Sequence, residues 1–273
     1  MVRYYPDTRL QQFVSCLWYS SRSMVEHPCE HLSPTGAMTI VIRLDGDPIH
    51  LQDQLFHESV VMGPQSGFVL LDTSKPGSVV GIQFTALGAA PILNLRAGQL
   101  TGRHVSLADV WGASSRRLRE RLVNAGSPQE MFAAIERELL VRLRRPLLIH
   151  PAVAHSLREL NASPAVSRVE EIRAQTGYSA KRLIELFDNA VGLTPKVYSR
   201  IRRFQSVIDS LARGRPVAWA AVAADNGYYD QSHLNREFRA FAGVTPGEYR
   251  AAEKDQPNHV VVLERAKNLS NTC

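Results

Sequence analysis

The carboxyl-terminal half of the chain contains one pattern of residues twice. Six positions between Phe187 and Tyr198 recur 51 residues further along, and Gly177 recurs after 50, so the copies differ by one residue in the turn that follows each glycine. The matched pairs are Gly177/Gly227, Leu183/Leu234, Phe187/Phe238, Gly192/Gly243, Leu193/Val244, Thr194/Thr245, Pro195/Pro246 and Tyr198/Tyr249. Because a duplicated pattern indicates a duplicated structural unit, the sequence predicts two units of one design in tandem.

Each copy predicts two helices joined by a tight turn. In the second copy, Gly227 suits the end of a helix, where a positive φ is needed, and Asp230 can cap the helix that follows. Apolar residues then recur from Leu234 at the spacing of one helical face. Gly177 and Ser179 take the same places in the first copy. Small residues before Gly227 allow the two helices to cross closely, which is the packing of a helix-turn-helix.

A third helix is predicted between the copies, from Pro195 to about Leu211. At a rise of 1.5 Å per residue this helix would be roughly 25 Å long. A helix of that length can hold two recognition helices near the ~34 Å repeat of successive major grooves. We expect Arg200, which matches Arg250 in the repeat, to tie its unit to the core. The cations of this helix are Lys196, Arg200, Arg202 and Arg203.

These features resemble those of a known family of DNA-binding proteins. Residues 151–250 resemble the DNA-binding domain of the AraC/XylS family, in which a linker helix joins two helix-turn-helix units. The most specific part runs from Gly227 to Leu234 and continues at Phe238, Gly243, Thr245, Pro246, Tyr249 and Arg250. The resemblance implies an all-α DNA-binding domain at 146–252, with units at about 168–191 and 216–241, a linker helix at about 195–212 and a tail at 253–273.

The polar faces of the predicted helices indicate which residues contact double-stranded DNA. In the second unit, we expect Gln231, Ser232, Asn235 and Arg236 to approach base edges and Arg239 to lie nearer phosphate. The other candidate contacts are Ser179, Lys181, Arg182 and Glu185 in the first unit, Lys196, Arg202 and Arg203 in the linker helix, and Asp230 and His233 in the second unit.

The first unit departs from the family pattern in two places. Arg173 stands four residues before Gly177, where the family usually has alanine, and Glu185 stands where a basic residue is common. A carboxylate is repelled by phosphates and can at best accept from a cytosine amino group. Glu185 could also pair with Lys181 or Arg182 across one helical turn. We therefore expect the second unit to read sequence and the first mainly to position the protein.

The first 145 residues predict a different architecture. Alternating apolar residues from Met38 to Leu44 indicate a β-strand, and three further short apolar runs are bounded by turn residues. Helical patterns begin after Ser114 and Ser127. We therefore predict an α+β chain in which residues 1–145 form a small β-barrel or sandwich-like domain with helices.

This half is similar to the β-rich domain found ahead of AraC-type domains in many bacterial regulators. The similarity implies that the domain senses small molecules, dimerises, or does both. The matching segments include Leu32 to Gly36, Gly63 to Gln65, Gly81 to Phe84 and Leu107 to Gly112.

Composition limits the other function classes. The net charge of +6 supports a polyanionic partner only weakly. The chain has neither a membrane-length apolar run nor the apolar core of a signal peptide, so we expect a cytoplasmic protein. Three widely spaced cysteines argue against disulfides and against a four-cysteine zinc site. His27, Cys29 and His31 would lie roughly 6 to 7 Å apart along a strand, too far for adjacent ligands, so we expect no metal or cofactor.

Three functions remain open on the sequence alone. The preferred one is a sequence-specific DNA-binding transcription regulator under small-molecule control, with RNA polymerase and a second copy of the chain as further candidate partners. A non-sensing architectural DNA-binding protein is the first alternative. The second is a repair protein fused to AraC-type helices, with Cys16 or Cys29 as a reactive thiol. Catalytic phosphate loops, nucleophile elbows and paired carboxylates are absent from the sequence, so we predict that the chain is not an enzyme.

Overall fold

The computed structural model describes residues 1–22, 27–143, 149–211, 218–252 and 256–261. A β-rich half precedes a helical half, which confirms the predicted fold class. The elements of the first half are β1 (Val2–Tyr4), α1 (Thr8–Gln11), β2 (Val14–Arg22), β3 (Cys29–Leu32), β4 (Thr39–Arg43), β5 (Ile49–Leu51), β6 (Gln54–Phe56), β7 (Ser59–Met62), β8 (Val69–Asp72), β9 (Gly77–Phe84), α2 (Ala89–Leu93), a 3₁₀ helix (Ala97–Leu100), β10 (His104–Ser106), α3 (Leu107–Trp111), α4 (Ala113–Val123) and α5 (Pro128–Arg142).

The second half contains both predicted units. Helices α7 and α8 form the first unit, α9 is the linker helix, and α10 and α11 form the second unit. Pro216 and residue 212, at the predicted start of the second unit and end of the linker helix, lie outside the described residues. The elements are α6 (Pro151–Ala162), α7 (Val169–Thr176), α8 (Ala180–Val191), α9 (Pro195–Leu211), α10 (Trp219–Asp225), α11 (Gln231–Ala242), α12 (Pro246–Ala251) and β11 (His259–Val261).

In each unit, a side chain at the end of the turn caps the helix that follows. The Ser179 side chain accepts the backbone N–H of Arg182, and the Asp230 side chain accepts that of His233 at 2.6 Å. Gly227 has a φ of 72°, and a Cβ at this position would lie 2.0 Å from the carbonyl oxygen of Ala165. The second turn therefore needs glycine for its backbone conformation and for its close packing.

Two antiparallel sheets form the amino-terminal domain. Their strand orders are β1-β2-β9-β4-β7-β10 and β11-β3-β8-β5-β6. Within the described residues the two sheets do not join into one closed barrel, so the domain is sandwich-like. Side chains along β4 point alternately to the two faces of its sheet. Ile40 and Ile42 pack in the core between this sheet and the helices, whereas Val41 packs against residues of the second sheet.

The cysteines differ from the sequence-based expectation. Cys16 on β2 is a free thiol, whereas Cys29 on β3 is disulfide-bonded. The expectation that disulfides take no part in the fold is therefore wrong at Cys29. Wide spacing argues against a dense disulfide framework, but it carries no information about whether one particular cysteine is bonded.

The two halves contact each other at equivalent points of the repeat. The hydroxyl of Thr101 donates to the carbonyl of Gly192 (2.5 Å), and Nδ1 of His31 donates to the carbonyl of Ala242 (3.0 Å), at the ends of α8 and α11. In addition, β11 pairs with β3, so a segment that follows the helical domain extends a sheet of the first domain. The sequence alone predicts this segment only as part of a tail.

Candidate DNA interface

Helix α11 presents a polar face to solvent and an apolar face to the core. Leu234, Phe238 and Phe241 are fully buried, and Phe238 and Phe241 lie 5.0 and 5.2 Å from the ring of Phe204 on the linker helix. This packing fixes which side of α11 faces outward. The side chains of Gln231, Ser232, Arg236 and Arg239 are exposed, and that of Asn235 is half-buried.

The outward side chains of α11 are free to bind an external partner. Within the described residues, the side chains of Gln231, Ser232, Asn235 and Arg236 make no hydrogen bond or ion pair with the protein. Asp230 and His233 differ, since Asp230 caps the helix and Nδ1 of His233 lies 3.4 Å from the backbone nitrogen of Tyr229. These two residues therefore shape the start of the helix.

Tyr229 is a candidate contact that the sequence analysis missed. Its side chain is 94% exposed and immediately precedes the cap of α11. The neighbouring Tyr228, by contrast, is buried. Tyr229 is also the site at which the second turn exceeds the first by one residue, and this insertion was the signal that could have identified it. An exposed phenol beside a recognition helix can contact phosphate or sugar.

The first recognition helix, α8, carries fewer free cations. Arg182 and Glu185 form an ion pair of 2.9 Å, and both side chains are about half exposed. Lys181 is exposed and forms no ion pair within the described residues, and Ser179 caps the helix. Ile184 adds an exposed apolar side chain to this surface. The surface of α8 is therefore nearly neutral in this region.

Arg173 in α7 lies at the edge of the first unit. Its Nε is 3.0 Å from Glu170, and Nη1 donates to the carbonyl of Tyr178 at 3.4 Å. The long side chain is thus directed along its own helix and turn. This placement accommodates an arginine where the family usually has alanine.

Two arginines of the linker helix point toward the protein core and not toward solvent. Arg200 and Arg203 approach the buried carboxylate of Glu237 on α11, with Arg200 at 2.5 Å and Arg203 at 4.0 Å. Arg203 also donates to the carbonyl of Gly227 at 3.2 Å. Arg202 is half-buried, whereas Lys196 is exposed and unpaired within the described part of the chain.

Glu237 explains why these arginines are held against the protein. Burial of a carboxylate is costly unless a cation compensates its charge, and Arg200 and Arg203 supply that charge. The signal was present in the sequence, because Glu237 lies three residues after Leu234 and therefore falls on the apolar stripe of α11.

A separate cavity of about 230 Å³ lies between the two sheets. Its walls are largely apolar, and the hydroxyl of Ser33 is buried there without a partner in the described residues. The cations on the wall are already neutralised by nearby acids. The pairs are Arg22–Glu30, Arg43–Asp45 and Lys75–Asp47.

Comparisons with known proteins agree with the helical geometry. A family described as "Helix-turn-helix domain" matches residues 172–252, and one described as "Domain of unknown function (DUF6597)" matches residues 2–106. A protein of Streptomyces antibioticus, whose name describes an AraC-like transcription regulator, is 33% identical over 104 residues. These matches support an AraC/XylS-family regulator. The match with the Streptomyces protein covers 38% of this chain and 34% of that protein, so the chain spans about a third of the relative's length.

Two solved structures resemble this chain over most of its length. They are ToxT from Vibrio cholerae at 1.65 Å resolution, with 13% identity, and wild-type ToxT bound to an unsaturated fatty acid, with 12% identity. Each covers 86% of this chain, and the matches cover 97% and 94% of the ToxT chains, with a TM-score of 0.49 for both. A likeness of this degree assigns neither a ligand nor a function.

The helix-turn-helix match and the AraC-like relative support a transcription regulator and not an enzyme. The Cys16 thiol fits this assignment, because burial raises its pKa. A nucleophilic cysteine needs the opposite shift. Among the described residues, no helix has the length and apolar character needed to cross a membrane.

Proposed function

We propose that the chain is a transcription regulator that binds double-stranded DNA in a sequence-specific way. The exposed face of α11 carries this proposal, because Gln231, Asn235 and Arg236 place free amide and guanidinium groups on one helical surface. These groups are the ones that form paired hydrogen bonds to adenine and guanine in the major groove. Ser232 can contact a base edge beside them, and Arg239 lies toward phosphate at the far end of the helix.

The other candidate contacts have positioning roles in this proposal. Ser179 and Asp230 orient the amino termini of the two recognition helices toward the DNA backbone. Lys181, Arg182 and Lys196 contact phosphates, and Arg202 approaches a phosphate from the linker helix. Arg203 and His233 support these surfaces from within the protein, and Glu185 reduces the attraction of α8 for DNA.

We further propose that a small molecule in the cavity between the sheets controls the regulator. The largely apolar walls and the unpartnered hydroxyl of Ser33 suit an apolar molecule with one hydrogen-bonding group. A strongly anionic ligand is disfavoured, because the cations of the wall already have acidic partners. We propose RNA polymerase and a second copy of the chain as further partners. We propose that the protein acts in the cytoplasm.

Enrichment from a random library of double-stranded DNA tests the first part of the proposal. The full-length protein should enrich one sequence family and bind it at least ~10³-fold more tightly than random DNA at physiological salt. Equal affinity for enriched and random DNA would instead favour the architectural alternative. A repair activity would consume the Cys16 thiol, so mass spectrometry of protein incubated with alkylated DNA tests the remaining alternative.

Thermal-shift screening tests control by a small molecule. Apolar metabolites with one hydroxyl or carbonyl group should raise the unfolding temperature of the wild-type protein. They should act less on Ser33→Ala, which removes the free hydroxyl from the wall. If no molecule distinguishes the two proteins, the cavity is not the effector site.

A further inference from the structure

One wall of the cavity is also a contact surface for the DNA-binding domain. Segment 32–37 begins at the last residue of β3, and five of its six residues line the cavity. On its other side, the carbonyl of Pro34 accepts a hydrogen bond from Gln205 of the linker helix at 2.8 Å. Gly36 lies so close to Tyr198 that a Cβ would be 2.9 Å from the ring. A molecule that displaces this segment must therefore displace contacts with α9.

The segment that contains β11 forms a second wall of the same cavity. Gln256, Asn258 and His259 line it, and the carbonyl of Asn258 accepts the backbone N–H of Ser33 at 2.9 Å. His259 is hydrogen-bonded to the buried carboxylate of Glu30 on β3. Hydrogen bonds therefore hold this segment against the amino-terminal domain, although it follows the helical domain in the chain.

Gln205 joins these two walls to the linker helix. Its Nε2 donates to the carbonyl of Pro34 and also to Oδ1 of Asn258, at 2.9 Å. The side chain is 8% exposed, so both hydrogen bonds are shielded from water. Phe204, the adjacent residue, contacts Phe238 and Phe241 of the second recognition helix. One amide thus links both cavity walls to the helix that holds α11.

We infer that Gln205 is the positioning residue through which occupancy of the cavity changes DNA binding. Displacement of either wall breaks or lengthens a hydrogen bond of this amide, and the linker helix then shifts against the recognition helices. The inference rests on the proposed function and specifies how its two sites are coupled. Coupling of this kind requires contacts that differ between the occupied and empty states, and the two bonds of Gln205 provide them.

A double-mutant cycle tests the inference without knowledge of the ligand. Val41→Phe fills the cavity from β4, and Gln205→Leu removes the donor at nearly constant volume. The dissociation constant for the enriched double-stranded DNA is measured for the wild type, both single variants and the double variant. Val41→Phe should change this constant by about fivefold or more, in either direction, and by less than about twofold in the Gln205→Leu background. Val79→Leu is a milder filling substitution that repeats the cycle if Val41→Phe does not fold.

Asn258 supplies a matched pair of controls. Asn258→Asp keeps an acceptor for Gln205 and should preserve the response to Val41→Phe, whereas Asn258→Leu should weaken it. An equal response in the Gln205→Leu and wild-type backgrounds would overturn the inference, and so would no response in the wild type.

Hydrogen exchange separates this outcome from failure of the proposed function. Amides near the middle of α9 should exchange faster in Val41→Phe than in the wild type, and Gln205→Leu should remove the difference. If the protein binds no DNA selectively but exchange responds in this way, the coupling stands and the proposed function fails. Unchanged exchange in Val41→Phe contradicts the coupling itself.

Discussion

Arg236 lies on the exposed face of the second recognition helix, with no protein partner in the described residues. A guanidinium in this position can form two hydrogen bonds to one guanine. Arg236→Ala should therefore cost roughly 1 to 3 kcal/mol on the enriched site and little on random DNA. Fluorescence anisotropy titrations with both DNAs at one salt concentration measure the difference. Equal losses on the two DNAs would mean that Arg236 only contacts the backbone, and Arg239→Ala is the matched control for that behaviour.

The buried ring of His104 should make the stability of the folded protein depend on pH. Burial lowers its pKa below the usual 6.5, and neither ring nitrogen has a partner in the described residues. Because protonation is disfavoured in the folded state, the protein should lose stability as the pH falls through about 6.5, and this stability is fully present above that pH. His31, whose pKa is also lowered by burial, acts in the same direction.

The unfolding temperatures at about pH 7.5 and pH 5.5 check this prediction. Acidification should lower the unfolding temperature of the wild type, and it should lower that of His104→Leu by a smaller amount. An identical decrease in both proteins would show that His104 is not responsible.

The sequence predicted the roles of some single residues but not of others. The caps Ser179 and Asp230 follow from local chemistry, because a cap depends on residues within one turn. The insertion after Gly227 and the acid on the apolar stripe of α11 mark Tyr229 and Glu237 as unusual, but they do not specify the exposure of Tyr229 or the partners of Arg203. Both depend on how α9 packs against α10 and α11, which a local pattern does not specify.

At the scale of the elements, the two recognition helices differ in charge. Helix α8 has an Arg182–Glu185 ion pair where a DNA-reading helix would have free donors. Glu185→Arg should release Arg182 and add a cation, so binding to enriched and random DNA should tighten alike. Competition titrations with both DNAs measure the effect. A loss of about tenfold or more on the enriched site alone would show that the first unit also reads sequence.

We expect two cations of the linker helix, Lys196 and Arg203, to have different roles. Lys196→Ala should reduce the slope of log affinity against log salt by about one, because it removes one phosphate contact. Arg203→Ala should mainly lower the unfolding temperature, because it removes charge and a hydrogen bond beside buried Glu237. Salt titrations and thermal unfolding of both variants test this assignment. The opposite result, a smaller slope for Arg203→Ala and lower stability for Lys196→Ala, would reverse the two roles.

Helices and long strands were predictable because their periodicity extends over several residues. The strand predicted at Met38 to Leu44 corresponds to β4, and the pattern after Ser127 corresponds to α5. The three-residue strand β11 has too few residues for a pattern, and its pairing with β3 depends on contacts 229 residues apart, as between Glu30 and His259. Long-range pairing of this kind cannot be inferred from local sequence.

At the scale of the whole molecule, the amino-terminal domain contacts both repeated units and the linker helix between them. His31 and Thr101 reach the ends of the two recognition helices, and Gln205 connects the linker helix to the cavity walls. The sequence predicted two domains in order but not this arrangement between them. The central proposal is that two unequal units, held in this arrangement, read one face of double-stranded DNA.

Hydroxyl-radical protection of the enriched DNA tests this proposal most directly. The full-length protein should protect two patches on one face of the duplex, centred about 10 base pairs apart. Arg236→Ala should weaken sequence preference beneath one patch and leave the other unchanged. A single protected patch, or protection that is the same on random DNA, would contradict the proposal that two unequal units read a specific site.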